Sequence, residues 1–176
     1  AGFAAQHPDR VRGFVMANTF VWKPDTDGLI RMLRVMSSRP MIAFDRLTGL
    51  VPRLTSTRAG VGRHLDRRAR RVFRRPFRNP ARLRRFHTLM GDALEADDLH
   101  QRIAAASDEL ACRPVLTIFG EKNDPFGFQD RHRATFPDHE GVVVAGGNHF
   151  PMMDDPELFV DSIRSWWARH WADAQS

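Results

Sequence analysis

The sequence predicts an α/β fold in which parallel strands alternate with helices and a long helical segment is inserted between the first two strands. Short apolar runs without polar alternation, Phe14-Val-Met-Ala and Val115-Leu-Thr-Ile-Phe, suit strands buried on both faces of a parallel sheet. Helical patterns separate the strand candidates at both ends of the chain. Between the first two strands, roughly ninety residues carry helical patterns and no strong strand signal.

Taken in order, the apolar Phe3-Ala-Ala leads into a helix that Pro8 stops. The first strand is predicted over 11–20. In the insertion, helices are predicted over 27–36, 40–50, 80–94 and 97–110, with Asn79 as the N-cap of the third. The second strand spans 115–119, bracketed by Pro114 and Gly120. A helix over 129–135 ends near Phe136-Pro-Asp, and a third strand over 141–145 runs into Gly146-Gly147. The last helix runs from Pro156 to about Trp171. Asp155 is its N-cap, and Asp154-x-x-Glu157 is an alternative capping box. Leu158, Phe159, Ile163, Trp166 and Trp167 fall on one face, which reads as core packing.

Three such strands leave the one over 11–20 without a neighbour, so the reading expects further sheet before Ala1. It divides the chain into a core helix and strand (1–22), a helical cap with its return helix (23–110), and core strands and helices (111–176).

Composition narrows the function classes. With 42% hydrophobic and 27% charged residues, and no run of about 20 apolar residues, no membrane span is expected. The start has neither the charged region nor the apolar stretch of a signal peptide. Cys112 is the single cysteine, which excludes an intrachain disulfide and a cysteine-based metal site and fits a reducing cytoplasm. Placed before an apolar run, it reads as a buried structural thiol. The net charge of +6 is local: Arg63–Arg85 holds eleven arginines and one acid, Asp66. Such a stretch supplies affinity for phosphate backbones. With Phe73 and Phe77 as its main stacking candidates, a solvated face is preferred and no nucleic-acid partner is expected. The histidines other than His149 show no metal-ligand spacing.

The chemistry is expected in the loops after the second and third strands, where open α/β sheets keep their sites. The first loop reads Gly120-Glu-Lys-Asn-Asp124-Pro and the second Gly146-Gly-Asn-His149-Phe-Pro. An Asp accepting from one ring nitrogen of a His fixes its tautomer and leaves the other nitrogen as general base. Asp124 and His149 are therefore the candidate catalytic pair. Asp130 and Asp138 are alternative acids that do not directly follow a strand. Asn18, Phe20, Trp22 and Phe150 are candidate pocket residues, each with a packing or turn role as the alternative.

The stretch Pro114-Val-Leu-Thr-Ile-Phe-Gly-Glu-Lys-Asn-Asp124 resembles the acid-bearing strand and loop of α/β-hydrolases. Gly146-Gly-Asn-His149-Phe-Pro-Met-Met-Asp-Asp-Pro156 resembles their histidine loop. Ala4-Ala-Gln-His-Pro-Asp-Arg-Val-Arg-Gly-Phe-Val-Met-Ala-Asn18 resembles the helix after the nucleophile and the next strand. Within that superfamily, Ala17-Asn-Thr-Phe-Val-Trp22-Lys-Pro24 and Arg34-Val-Met-Ser-Ser-Arg-Pro40 look most like haloalkane dehalogenases, with Phe20 where a second tryptophan is common and Lys23 interrupting the usual Trp-Pro.

The resemblance implies attack by an aspartate nucleophile on a halogen-bearing carbon, then ester hydrolysis by water that His149 activates with Asp124 orienting it. It implies a small halogenated substrate and water, with no cofactor and no metal. Neither a G-x-D-x-G nor a G-x-S-x-G elbow occurs in the chain, so these 176 residues alone are expected to be inactive. A serine-type ester or lactone hydrolase is the alternative. An epoxide hydrolase, whose cap uses two tyrosines, is disfavoured because the chain has no tyrosine. A non-enzymatic basic binding module is the reading from a different class.

Overall fold

The computed structural model describes residues 2–57, 60 and 64–172. Ala1 and Arg63, which the sequence reading singled out, lie outside the described residues. In chain order the elements are helix α1 (Gly2–Gln6), a 3₁₀ turn (Pro8–Arg10), strand β1 (Phe14–Ala17), α2 (Asp27–Ser37), α3 (Arg39–Thr48), α4 (Leu50–Thr55) and α5 (Arg67–Arg74). A second 3₁₀ turn (Arg75–Arg78), α6 (Pro80–Glu95), α7 (Asp97–Ala105), α8 (Ser107–Ala111), β2 (Val115–Gly120), α9 (Phe128–Thr135), β3 (His139–Val144), α10 (Pro151–Asp154) and α11 (Pro156–Trp171) follow. The chain forms two units, one of Ala1–Val21 with Gln101–Ser176 and the other Trp22–His100.

In the first unit the sheet order is β1-β2-β3 and both pairings are parallel, with Phe14 opposite Val115 and Val115 opposite His139. All six residues of central β2 are buried, because side chains cover both of its faces. Leu116 and Ile118 point to one face and pack with Val144 and Trp166, with Phe159 and Ile163 of α11 alongside. Val115 points to the other, with Met16 and Phe136. The period of two in the strand thus splits the core into two clusters.

Several expectations change here. The first strand is four residues rather than ten, ending where Asn18 turns into the left-handed region at φ 42°. The expected Trp face of α11 is narrower: Trp166 is buried but Trp167 is 43% exposed, since it sits on the edge of the stripe. Cys112 is exposed rather than buried, because it caps the end of α8 and its thiol donates to the Asp108 carbonyl at 3.3 Å. The helix expected over 97–110 is two, α7 and α8, and the one over 40–50 breaks at Gly49, which adopts φ 60°.

The second unit is helical. Leu29 and Leu33 of α2 and Leu83 of α6 are among its buried apolar residues. At its centre is a polar contact between His87 of α6 and Asp45 of α3, both fully buried, with Nε2 and Oδ2 2.8 Å apart. His87 Nδ1–H donates to the Met36 carbonyl at 2.6 Å, and the other Asp45 oxygen accepts from the Val51 amide at 2.8 Å. Four helices are joined through this one pair. Lys23 and Asp97, near the two ends of the unit, form an ion pair 2.5 Å apart that holds the Asp97 carboxyl below its ordinary pKa.

Candidate functional site

The site is built where the C-terminal ends of the strands meet the loop that carries His149. Asn18, just past β1, joins three segments at once. Its Oδ1 accepts from the Gly120 amide at 3.0 Å, and its Nδ2 donates to the Asn148 carbonyl at 2.7 Å. The left-handed backbone that this needs is tolerated by Asn better than by most residues. Asn18, a candidate pocket residue, has a buried amide that brackets the strand ends and the residue before His149.

Close approach of the two loops explains Gly120. A Cβ there would lie 2.1 Å from the Asn148 carbonyl oxygen, so no larger residue fits without moving the histidine loop. The loops are then laced together: the Lys122 amide donates to Gly147 at 3.0 Å, and the Gly146 amide donates to the Glu121 carboxylate at 2.6 Å. From the far side, Asp154 accepts from the Asn148 amide at 2.6 Å. Asp154 is therefore tied to the histidine loop, and Asp155 is the N-cap of α11, accepting from Leu158 at 2.9 Å.

The two expected catalytic residues, Asp124 and His149, lie on these two laced loops. His149 projects from its loop with an exposed edge, its ring edge-on to Phe150 at 4.9 Å. Its Nδ1 lies 3.1 Å from the side-chain amide nitrogen of Asn123. Burial of the rest of the ring holds its pKa below the ordinary histidine value, which favours the base form. In Asp124, the expected acceptor for the ring, one carboxylate oxygen accepts from the Phe128 amide at 2.7 Å and the other from the Gln129 amide at 2.9 Å. An acid just before a helix satisfies its first free amides, and that signal was legible in Asp124-Pro-Phe-Gly-Phe128.

Phe20 packs its ring against Phe128 at 5.2 Å; Trp22, the first residue of the second unit, is half-buried. His132 of α9, fully buried, donates from Nε2 to the Thr19 carbonyl at 2.9 Å. Burial lowers its pKa, opposed by that bond and by the Asp124 charge. Of the alternative acids, Asp130 pairs with Arg133 on the surface and Asp138 lies 3.8 Å from His170.

In the second unit, Arg46, Arg53, Arg71, Arg74 and Arg78 line a cavity of about 390 Å³. Among the described residues none of these five is ion-paired, and the adjacent Asp45 carboxylate is committed to His87 and Val51. The described residues include no group of His, Cys, Asp and Glu able to hold a metal ion, and no helix long and apolar enough to cross a membrane.

The parallel sheet, interrupted in sequence by a helical insertion after its first strand, matches the C-terminal portion of the α/β-hydrolase fold. Within it, the chain is most like the C-terminal portion of haloalkane dehalogenases. It is 33% identical over 165 residues to haloalkane dehalogenase 2 of Mycobacterium bovis and of Mycobacterium tuberculosis, covering 91% of this chain and 57% of theirs. The chain thus spans little more than half the length of these relatives. Among solved structures, an ancestral haloalkane dehalogenase superposes with a TM-score of 0.76 at 21% identity, covering 97% of this chain and 64% of that one. The haloalkane dehalogenase DatA of Agrobacterium tumefaciens gives 0.74 at 15% identity, over 96% and 62%. The epoxide hydrolase CorEH gives 0.73 at 16%, over 95% and 62%, so the fold is common to both chemistries. No family model matches the chain.

Proposed function

We propose that this chain is the cap-and-base portion of a haloalkane dehalogenase-like hydrolase, acting on a halogenated alkane and water, with His149 as general base. The observation that carries the reading is His149 itself: held through Nδ1 on a laced strand-end loop, exposed at one edge, and biased to its neutral form. That is what a base must offer to a water molecule. The likeness to the mycobacterial dehalogenases supplies the reaction class.

The nucleophile is assigned to the part of those relatives that this chain does not span, since no G-x-D-x-G or G-x-S-x-G elbow occurs in it. In the first step a carboxylate oxygen bonds to the carbon and the halide leaves with the bonding electron pair. His149 then takes a proton from water as its oxygen adds to the ester carbonyl. The alcohol departs with a proton returned by His149. No metal or organic cofactor and no nucleic-acid partner enter this scheme. The single cysteine suits a reducing compartment such as the cytoplasm.

A serine-type ester or lactone hydrolase is the second reading, because the histidine loop serves either nucleophile. The chain contains no tyrosine, which argues against the tyrosine-assisted opening of an epoxide. Halide release from a primary bromoalkane tests the proposal when the protein is translated together with the sequence upstream of the Ala1 codon. Steady release supports it; hydrolysis of esters with no halide release overturns it. The 176-residue chain alone is expected to release none.

A further inference from the structure

We propose that the arginine-lined cavity of the helical unit binds a compact oligophosphate, a chain of two or three linked phosphate groups, through guanidinium groups that converge on it. The proposal uses residues of this unit alone and is independent of the reaction assigned to His149.

The arginines reach the cavity from separate elements. Arg46 lies on α3, Arg53 on α4, and Arg71, Arg74 and Arg78 on α5 and the 3₁₀ turn that follows it. The last three are spaced three and four residues apart, which keeps them on one side of a helical run. Arg46 and Arg53 stand outside the arginine-rich stretch of the sequence, so a basic segment alone does not account for the convergence. Conversely, Arg67, Arg68, Arg75, Arg82, Arg84 and Arg85 belong to that stretch and do not line the cavity.

The charges meet without a counter-charge of their own. Among the described residues none of the five lining arginines is ion-paired. Arg74 Nε–H donates to the Arg70 carbonyl at 3.3 Å, which anchors that guanidinium and leaves its two terminal nitrogens for a ligand. The acid in the lining, Asp45, is fully buried and bonded to His87 and to the Val51 amide. Pro52 and Leu83, both buried, supply apolar wall. Like charges gathered against such a wall repel one another and focus a positive potential, and an anion relieves both.

The donor set selects the ligand. A guanidinium fork matches two oxygens of one phosphate group. A single phosphate carries about two charges at neutral pH, which leaves most of the five arginines unmatched. Linked phosphates spread more charge over a longer row of oxygens. The cavity of about 390 Å³ is sized for a small ligand.

The test is calorimetric titration of this chain with tripolyphosphate in about 0.1 M salt, which screens charges farther apart than about 10 Å. Saturable one-to-one binding is expected, weaker for pyrophosphate and weakest for inorganic phosphate. The double variant Arg46→Gln/Arg53→Gln should weaken tripolyphosphate binding about tenfold or more. Arg82→Gln/Arg84→Gln removes the same charge outside the cavity and should change it by less than about twofold. If the first pair fails to fold, Arg71→Gln/Arg78→Gln asks the same question. ATP separates two sources of the chemistry: binding equal to tripolyphosphate supports the phosphate chain alone as ligand, and tighter binding supports a nucleotide. Absence of saturable tripolyphosphate binding, or equal weakening by the cavity and control pairs, would overturn the site. Binding to phosphatidylserine vesicles without binding to tripolyphosphate would overturn it in favour of a membrane surface.

Discussion

His87 and Asp45 meet in the interior of the helical unit, Nε2 to Oδ2 2.8 Å, with neither side chain exposed to solvent. Each also satisfies a backbone group, His87 the carbonyl of Met36 and Asp45 the amide of Val51. Removing one partner leaves the other buried without its hydrogen bond, which for such pairs costs about 3–5 kcal/mol. His87→Leu and Asp45→Leu should each lower the urea midpoint strongly. The double substitution should cost less than the sum of the two, because it leaves no orphaned polar group. Additive losses would show that the pair is not coupled.

Asn18 is predicted to stabilise the site rather than touch substrate. Asn18→Ala removes the bonds to Gly120 and Asn148 and also places a residue less tolerant of left-handed backbone at φ 42°. A loss of about 1–3 kcal/mol is expected, and the Gly120 amide should exchange with solvent faster. Asn18→Gly, which relieves the backbone while deleting the same bonds, should recover part of the stability but not the slow exchange. Unchanged exchange at Gly120 in both variants would contradict this role.

Acid should destabilise the first unit in a defined window. His132, His139 and His149 all have pKa values held below the ordinary 6.5, each mainly by burial. The unfolded chain therefore binds protons that the folded chain resists, so stability is full above about pH 6.5 and falls as pH drops below it. Each group contributes at most about 1.4 kcal/mol per pH unit. Urea midpoints measured from pH 7.5 to 5 should fall, and His132→Asn should flatten the slope. A rising midpoint on acidification would contradict the burial account.

The elements with strong local signals were legible in the sequence: the apolar run of β2, the Asp155-Pro156 start of α11, and the Asn79 cap of α6, which accepts from Ala81 and Arg82. The strand-end loops were legible for the same reason, because glycines mark them. α5 was not, since its arginines show almost no apolar period: Val72 and Phe73 are its hydrophobic residues beyond Ala69. The Asp45–His87 contact joins residues 42 apart and has no local signature. The contact of the Asn123 side-chain amide with His149 Nδ1 has no sequence signature either, because it depends on the backbone direction after Gly120.

The most direct test of the central claim is halide release from a primary bromoalkane by the protein carrying its upstream sequence, comparing the native protein with His149→Gln. The account predicts continuing release by the native protein. For the variant it predicts one halide per protein, with the alkyl group retained as an ester by mass, because the base is needed only to discharge it. Continuous turnover by His149→Gln at the native rate would contradict the assignment of His149 as the base.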